Sequence, residues 1–301
     1  MTDGNQKTGD ELLSEYREKQ TAFERQCWER WKPAFDLYDW VLLQTREAAR
    51  FFLHHYWSQA VEQEDWMYEA QTRLQARAYR TACEVRALLL GGNPDGALAR
   101  WRSIHEILVV MSFLQKYGAE TAKRFLKYDL VQTAENWDRY DKLPPEWQTL
   151  SVTPEEAAQA RDERAKILQE YGQSFRNENG WASAALGLTK DTSSVTSARL
   201  EEVVGLQPFR FYHHIASNHI HVNMKGLTND FRADLIPLMD EFSPAAYTTL
   251  WGLAECTAIM VNLRPDPNTE EIIKKLYSRV AEAGQMFMRI QQQMMLDEKQ
   301  A

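Results

Sequence analysis

Apolar residues recur along this chain at spacings of three and four, the period of an amphipathic α-helix, and the two-residue alternation of a half-buried strand is hard to find. Tyr16, Phe23, Cys27 and Trp31 set a first helix over about 10–31. Pro33 suits an early position of a second, to about Gln59, whose rows Phe35, Tyr38, Leu42 and Trp40, Leu43 are apolar on more than one side. Trp66, Leu74, Ala78, Val85 and Leu89 mark a third, from about Glu62 to Leu90. Gly91 and Gly92 end it, because glycine takes the left-handed conformation of a helix C-terminus at little cost. Asn93 then caps a fourth helix, 93–116, with Pro94 at its first position and Asp95 in its first turn.

A fifth helix spans about Ala119 to Tyr140 and is closed by Pro144 and Pro145. Thr153-Pro154-Glu155-Glu156 opens a sixth, to about Tyr171, whose charge predicts an outer position. From 172 to 197 the composition shifts to Asn, Gly, Ser and Thr, which predicts an irregular connection or lid. Further helices follow across Pro208 to about His221, from about Ala245 to Leu263, and from Thr269 to about Leu296. No fixed-period repeat is present, so a solenoid is not expected. The predicted fold class is all-α: residues 1–9 disordered, then one helical domain over 10–301, a bundle of about eight to ten helices.

Composition adds bounds. The 301 residues can bury a sizeable core, and a formal charge of −8 provides no global positive field toward nucleic acid or anionic lipid. Cys27, Cys83 and Cys256 are far apart, lack CxxC spacing and sit in helical, largely apolar contexts, which predicts reduced thiols. The polar opening MTDGNQKTGDELL is not a signal peptide, and the apolar run 107–114 is too short to cross a bilayer. A cytoplasmic protein without a membrane partner is expected.

Two polar segments interrupt the apolar periodicity. In GGNPDGALARWRSIHEILVVMSFL, Arg102 and Glu106 lie one turn apart on one face with His105 between them, just before a run with little solvent-facing room. Charges at the mouth of a buried helix are unfavourable unless paired, so the spacing points either to a structural pair or to a cavity with a general base. The second segment, FRFYHHIASNHIHVN, holds four of the seven histidines. At 100° per residue Arg210, His214, Ser217, Asn218 and His221 share about a quarter of the circumference, while Phe211, Tyr212 and Ile215 point elsewhere. A solvated face would carry Lys and Glu; His, Ser and Asn suit a pocket lining or an internal hydrogen-bonded network.

Specific chemistries can be weighed against these residues. His214 and His221 stand two turns apart, no HExxH occurs and no cysteine assists, so no metal site and no cofactor are predicted. Ser217 lacks a nucleophile elbow, and no Walker A or GxGxxG loop is present. Helical ribonucleases of the HEPN type carry Arg, four to six residues, then His. Arg100 to His105 and Arg50 to His55 satisfy that pattern, at a frequency that this composition produces by chance.

LLLGGNPDGALARWRSIHEILVVMSFL resembles the hallmark of DUF5677, a bacterial family of helical proteins: a leucine-rich helix end, a Gly turn, a small-residue stretch, then Arg-x-x-x-Glu and an apolar run. FYHHIASNHIHVN resembles the family's second element, an aromatic, a Ser and a His on one helix. The resemblance implies a shared helical core, points at Arg102, Glu106, Ser217 and His221, and brings no activity with it; such proteins also look distantly like HEPN and abortive-infection families. Two expectations therefore stand. One is a metal-independent ribonuclease or toxin-like effector of bacterial defence or stress response. Its site lies between helices 93–116 and 208–221, formed by Arg102, His105, Glu106, His214, Ser217 and His221, with RNA as partner. The other is a non-catalytic interaction module in which these residues form a structural network and the Met-rich last helix contacts a second copy or another protein.

Overall fold

The computed structural model describes residues 7–150, 153–188, 194–218 and 241–300, and among these there is no strand. The α-helices are α1 (Gly9–Glu62), α2 (Trp66–Leu90), α3 (Pro94–Tyr117), α4 (Ala119–Tyr140), α5 (Pro154–Tyr171), α6 (Ser197–Val204), α7 (Arg210–Asn218), α8 (Phe242–Val261) and α9 (Pro267–Gln300). The protein is all-α. Its chain divides into two compact units, one formed by Met1–Arg50, Arg77–His105 and Phe211–Ala301, the other by Phe51–Ala76 and Glu106–Arg210.

The first two predicted helices are one. α1 runs unbroken through Pro33, although an interior proline costs about 3 kcal/mol in lost hydrogen bonding and steric conflict. Pro33 faces solvent, and Trp31, Ala34, Phe35 and Tyr38 on either side of it are buried. Each large buried side chain contributes about 1.5–3 kcal/mol, so the burial on either side outweighs the break.

In the first unit, Trp31 stacks on Phe242 of α8 at a centroid distance of 4.2 Å, and Phe35 meets Phe287 of α9 edge-on at 5.9 Å. Tyr38 donates its hydroxyl to the Ala82 carbonyl at 2.9 Å, and Arg86 of α2 forms a two-pronged pair with Asp39 of α1. That pairing raises the Arg86 guanidinium above its ordinary value. Close approach of helices is set by glycine: a Cβ on Gly252 of α8 would lie 2.7 Å from Ile104 of α3, and one on Gly284 of α9 would lie 2.4 Å from the Tyr247 ring of α8. Cys256 is buried and Cys27 and Cys83 are half-buried, all three as free thiols.

In the second unit, α5 opens with the predicted cap: Thr153 Oγ1 accepts from the Glu156 amide, and the Glu156 carboxylate accepts from the Thr153 amide. Its buried residues are Ala157, Ile167 and Leu168, so it presents a narrow apolar strip and a charged outer face. α4 and α5 are tied by Asp138, which accepts from both Arg161 and Arg164, and by Lys127 to Glu170 at 2.7 Å. The described part of 172–197 is irregular but anchored by buried residues. It folds as 3-10 turns at Gln173–Arg176, Gly180–Ala182 and Ala184–Leu186 and buries Phe175, Trp181, Ala182 and Val195. Trp181 meets Phe113 and Phe125 edge-on at 5.4 and 5.1 Å. Arg124 of α4 lays its guanidinium over Tyr171 and Phe175 at 4.5 and 5.1 Å and donates to the Trp181 carbonyl at 3.1 Å. α6 was not expected from the chain's periodicity; the Thr196 hydroxyl caps it and Gly205, at φ 75°, ends it.

Candidate active site

α3 begins where the sequence places it. The Asn93 amide bonds back to the Leu88 carbonyl at 2.8 Å, and Gly92 adopts φ 72°, so the chain leaves α2 through a tight glycine turn. Pro94 opens α3, whose buried row starts at Ala97 and Leu98 and continues through Trp101, Ile104 and His105, each at most 2% exposed. Trp101 and His105 are one turn apart with ring centroids at 5.4 Å.

These residues meet α7 through two successive pairs. Trp101 packs edge-on against Tyr212 at 6.2 Å, and Arg102 Nε donates to His213 Nε2 at 3.1 Å. The His105 and His213 rings are 6.0 Å apart. The Arg102 Nε–H is a donor with no lone pair to offer, so His213 Nε2 is the acceptor and the neutral His213 ring carries its hydrogen on Nδ1. Ser217 donates its hydroxyl to the His213 carbonyl at 2.7 Å, a back-bond within α7.

The predicted residues separate under this geometry. Arg102 and His105 belong to the cluster, whereas Glu106 is exposed on α3 and His214 is exposed on α7. Arg210 donates to the buried carboxylate of Glu201 on α6 at 2.8 Å, within the second unit. His221 and the Asn218 side chain lie outside the described residues. The histidine of α7 that faces Arg102 is therefore His213, and Tyr212, expected to point away, is the ring that meets Trp101. One residue is a 100° rotation on a helix, so selecting His214 over its neighbour set the predicted face off by that angle. Ser217 follows His213 by four positions and His214 by three, so its spacing does not separate the two.

Arg100, first residue of the Arg-to-His pattern, is engaged elsewhere: it pairs with Glu84 of α2 and donates to Ser103 Oγ at 2.9 Å. His55, at the end of the other match, is exposed, and its Nδ1 contacts the Phe51 carbonyl at 2.9 Å. Among the described residues no three His, Cys, Asp or Glu side chains gather as a metal cage, and no helix is long and apolar enough to cross a membrane.

An all-helical chain in which an arginine of one helix is hydrogen-bonded to a histidine ring of another, beside a second, buried histidine, is the class that these observations define. The chain belongs to the DUF5677 family, described as a family of unknown function, whose profile matches residues 68–235. That span includes both α3 and α7. No curated protein and no solved structure was found to match the chain.

Proposed function

We propose that Arg102, His213 and His105 form a general acid–base site for metal-independent cleavage of RNA, in a bacterial protein of a defence or stress-response type. The observation that carries the reading is the donation from Arg102 to His213 beside the His105 ring. Internal transesterification of RNA needs three things: a base for the ribose 2′-hydroxyl, an acid for the departing 5′-oxygen, and a cation beside the phosphorane oxygens. Two imidazoles and a guanidinium are that set. When a phosphate oxygen replaces His213 Nε2 as the acceptor of Arg102, the imidazole nitrogen is released to take the 2′-hydroxyl proton. The second histidine then gives a proton to the leaving oxygen. His221 remains a further candidate for either role, and Glu106 and Ser217 for positioning.

The test incubates RNA with the wild-type protein, Arg102→Ala, His213→Ala and His221→Ala, with and without chelator. Expected are chelator-resistant products ending in 2′,3′-cyclic phosphate, and a loss of about 100-fold or more in His213→Ala. No cleavage by the wild type, or cleavage by Arg102→Ala and His213→Ala equal to that of the wild type, would overturn the reading. The burial of His105, 2% exposed, favours a second reading in which the cluster is a satisfied polar network of a non-catalytic interaction module. On that reading the same variants lose stability and no activity, and the exposed Met288, Met295 and Leu296 of α9 form a contact face for a second copy, visible as a concentration-dependent mass in sedimentation.

A further inference from the structure

A second candidate site lies at the corner where α1 hands over to α2, wholly within the second unit. Trp57 and Val61 from α1, Trp66 and Tyr68 from α2, and the turn residues Glu64 and Asp65 line a cavity of about 260 Å³. This is just under the range of about 300–1,000 Å³ that encloses drug-sized ligands. Its walls are aromatic and its rim is acidic. Trp57 is 54% exposed and Val61 57% exposed, a turn apart, so the cavity presents apolar surface to solvent that the fold leaves uncovered. The Trp57 and Tyr68 ring centroids stand 6.4 Å apart at 58°, and Tyr68 is anchored through its hydroxyl to the Phe52 carbonyl.

The ionisable side chains that line this cavity are carboxylates. Its lining includes Glu64, Asp65 and Glu69 and no Lys or Arg. Glu69 is neutralised by Arg73 at 2.5 Å, and Asp65 spends one oxygen on the Tyr68 amide at 3.0 Å, capping α2. Among the described residues none forms an ion pair with Glu64. Glu64 also holds a left-handed backbone, φ 49°, where the Asp65 amide closes the end of α1 on the Ala60 carbonyl at 2.9 Å. Glycine would adopt that conformation more cheaply, so the chain keeps a carboxylate on the rim against a local backbone preference. Aromatic faces carry negative potential, and a cation already uses one of these rings: the Lys123 ammonium stands 5.8 Å from the Trp66 centroid.

We propose that this cavity binds a small alkylammonium cation. The indole rings of Trp57 and Trp66 take up the alkyl groups and face the positive charge, with the buried Tyr68 ring behind them, and Glu64 supplies the counter-charge at the mouth. A neutral ligand of equal shape would gain only the apolar contact, and an anion would meet the carboxylates. The site shares no residue with the histidine cluster, and its success or failure is read without reference to RNA.

Choline and butylammonium are titrated into the full-length protein by calorimetry and indole NMR, alongside 3,3-dimethylbutan-1-ol, which has the shape of choline without its charge. Saturable binding of at least one cation is expected, with the neutral isostere about tenfold weaker or more. Trp57→Ala and Glu64→Gln should each weaken the cation about tenfold, with melting curves confirming that both variants fold. Glu64→Gly, which relieves the backbone and removes the charge, should be more stable than wild type and still bind poorly. Absence of saturation by both cations, or equal affinity for the neutral isostere, or unchanged affinity in Glu64→Gln and Trp57→Ala, overturns the proposal.

Discussion

Arg102 reaches His213 across 111 positions of sequence, and its Nε–H, a donor with no accepting capacity, dictates where the neutral imidazole carries its hydrogen. Nitrogen NMR of the histidine side chains should report His213 with a protonated Nδ1 and an accepting Nε2. In Arg102→Ala that bias should disappear. A wild-type His213 that carries its hydrogen on Nε2 would contradict the bond.

Gly252 sits against Ile104, the residue before His105, with room for no side chain. Gly252→Ala should destabilise by about 1–3 kcal/mol, because the added carbon meets a stiff β-branched side chain that is fully buried. Ile104→Ala introduced into Gly252→Ala should recover part of the loss in denaturant unfolding. A purely additive double variant would mean that the helices separate without contacting one another there.

Glu255 of α8 hydrogen-bonds Tyr277 of α9, and burial pushes its carboxyl above the usual range while the Tyr277 hydroxyl is pushed well up by burial and by the carboxylate. A carboxyl whose value is raised on folding favours the fold below its ordinary range and loses that contribution as pH rises through the raised value. Glu255→Gln should therefore melt at a higher temperature than wild type at neutral pH, with the difference vanishing in acid. A difference that grows in acid would reverse the sign of the argument.

Asp138 behaves oppositely. Arg161 and Arg164 hold its carboxylate below the ordinary range, so its contribution is present above that range and is lost as pH falls through the depressed value. Asp138→Asn should lower the melting temperature modestly at neutral pH, the ion pairs being about one-third exposed, and should match wild type in strong acid. High salt should shrink the neutral-pH gap.

Pro33 stands exposed in the interior of α1. Pro33→Ala should restore a backbone hydrogen bond and stabilise by about 1–3 kcal/mol, the gain being reduced by the extra freedom of the unfolded chain. Unfolding by urea measures it; a loss of stability would show that Trp31 and Phe35 need the proline's geometry.

Local signals in the chain were decisive where one element depends on its own ends. The glycine pair with Asn93-Pro94 places α3, and Thr153 with Glu156 places α5, because caps and turns are chosen by residues within a few positions of one another. Pro33 misled because the burial of Trp31 and Phe35 against Phe242 and Phe287 is settled by residues more than 200 positions away. The eight-residue α6 lies between the predicted connection, which ends at 197, and the helix predicted across Pro208, in a stretch too short to show a helical period. Of the candidate site, Arg102 and His105 were legible as polar residues inside an apolar helix. The choice between His213 and His214 was not, since adjacent residues on a nine-residue helix have equal claim until the partner helix is in place.

Arg124 gives the second unit a feature that composition conceals. A planar cation against two rings, with one N–H spent on a main-chain carbonyl, clamps the 3-10 turns that follow α5, and lysine, a point charge without a plane, has no equivalent hold. Residues 173–186, polar and glycine-containing enough to pass for a dispensable insertion, are thereby fastened from inside. An engineer seeking a place to splice in a tag would find Phe175 and Gly180–Ala182 closed.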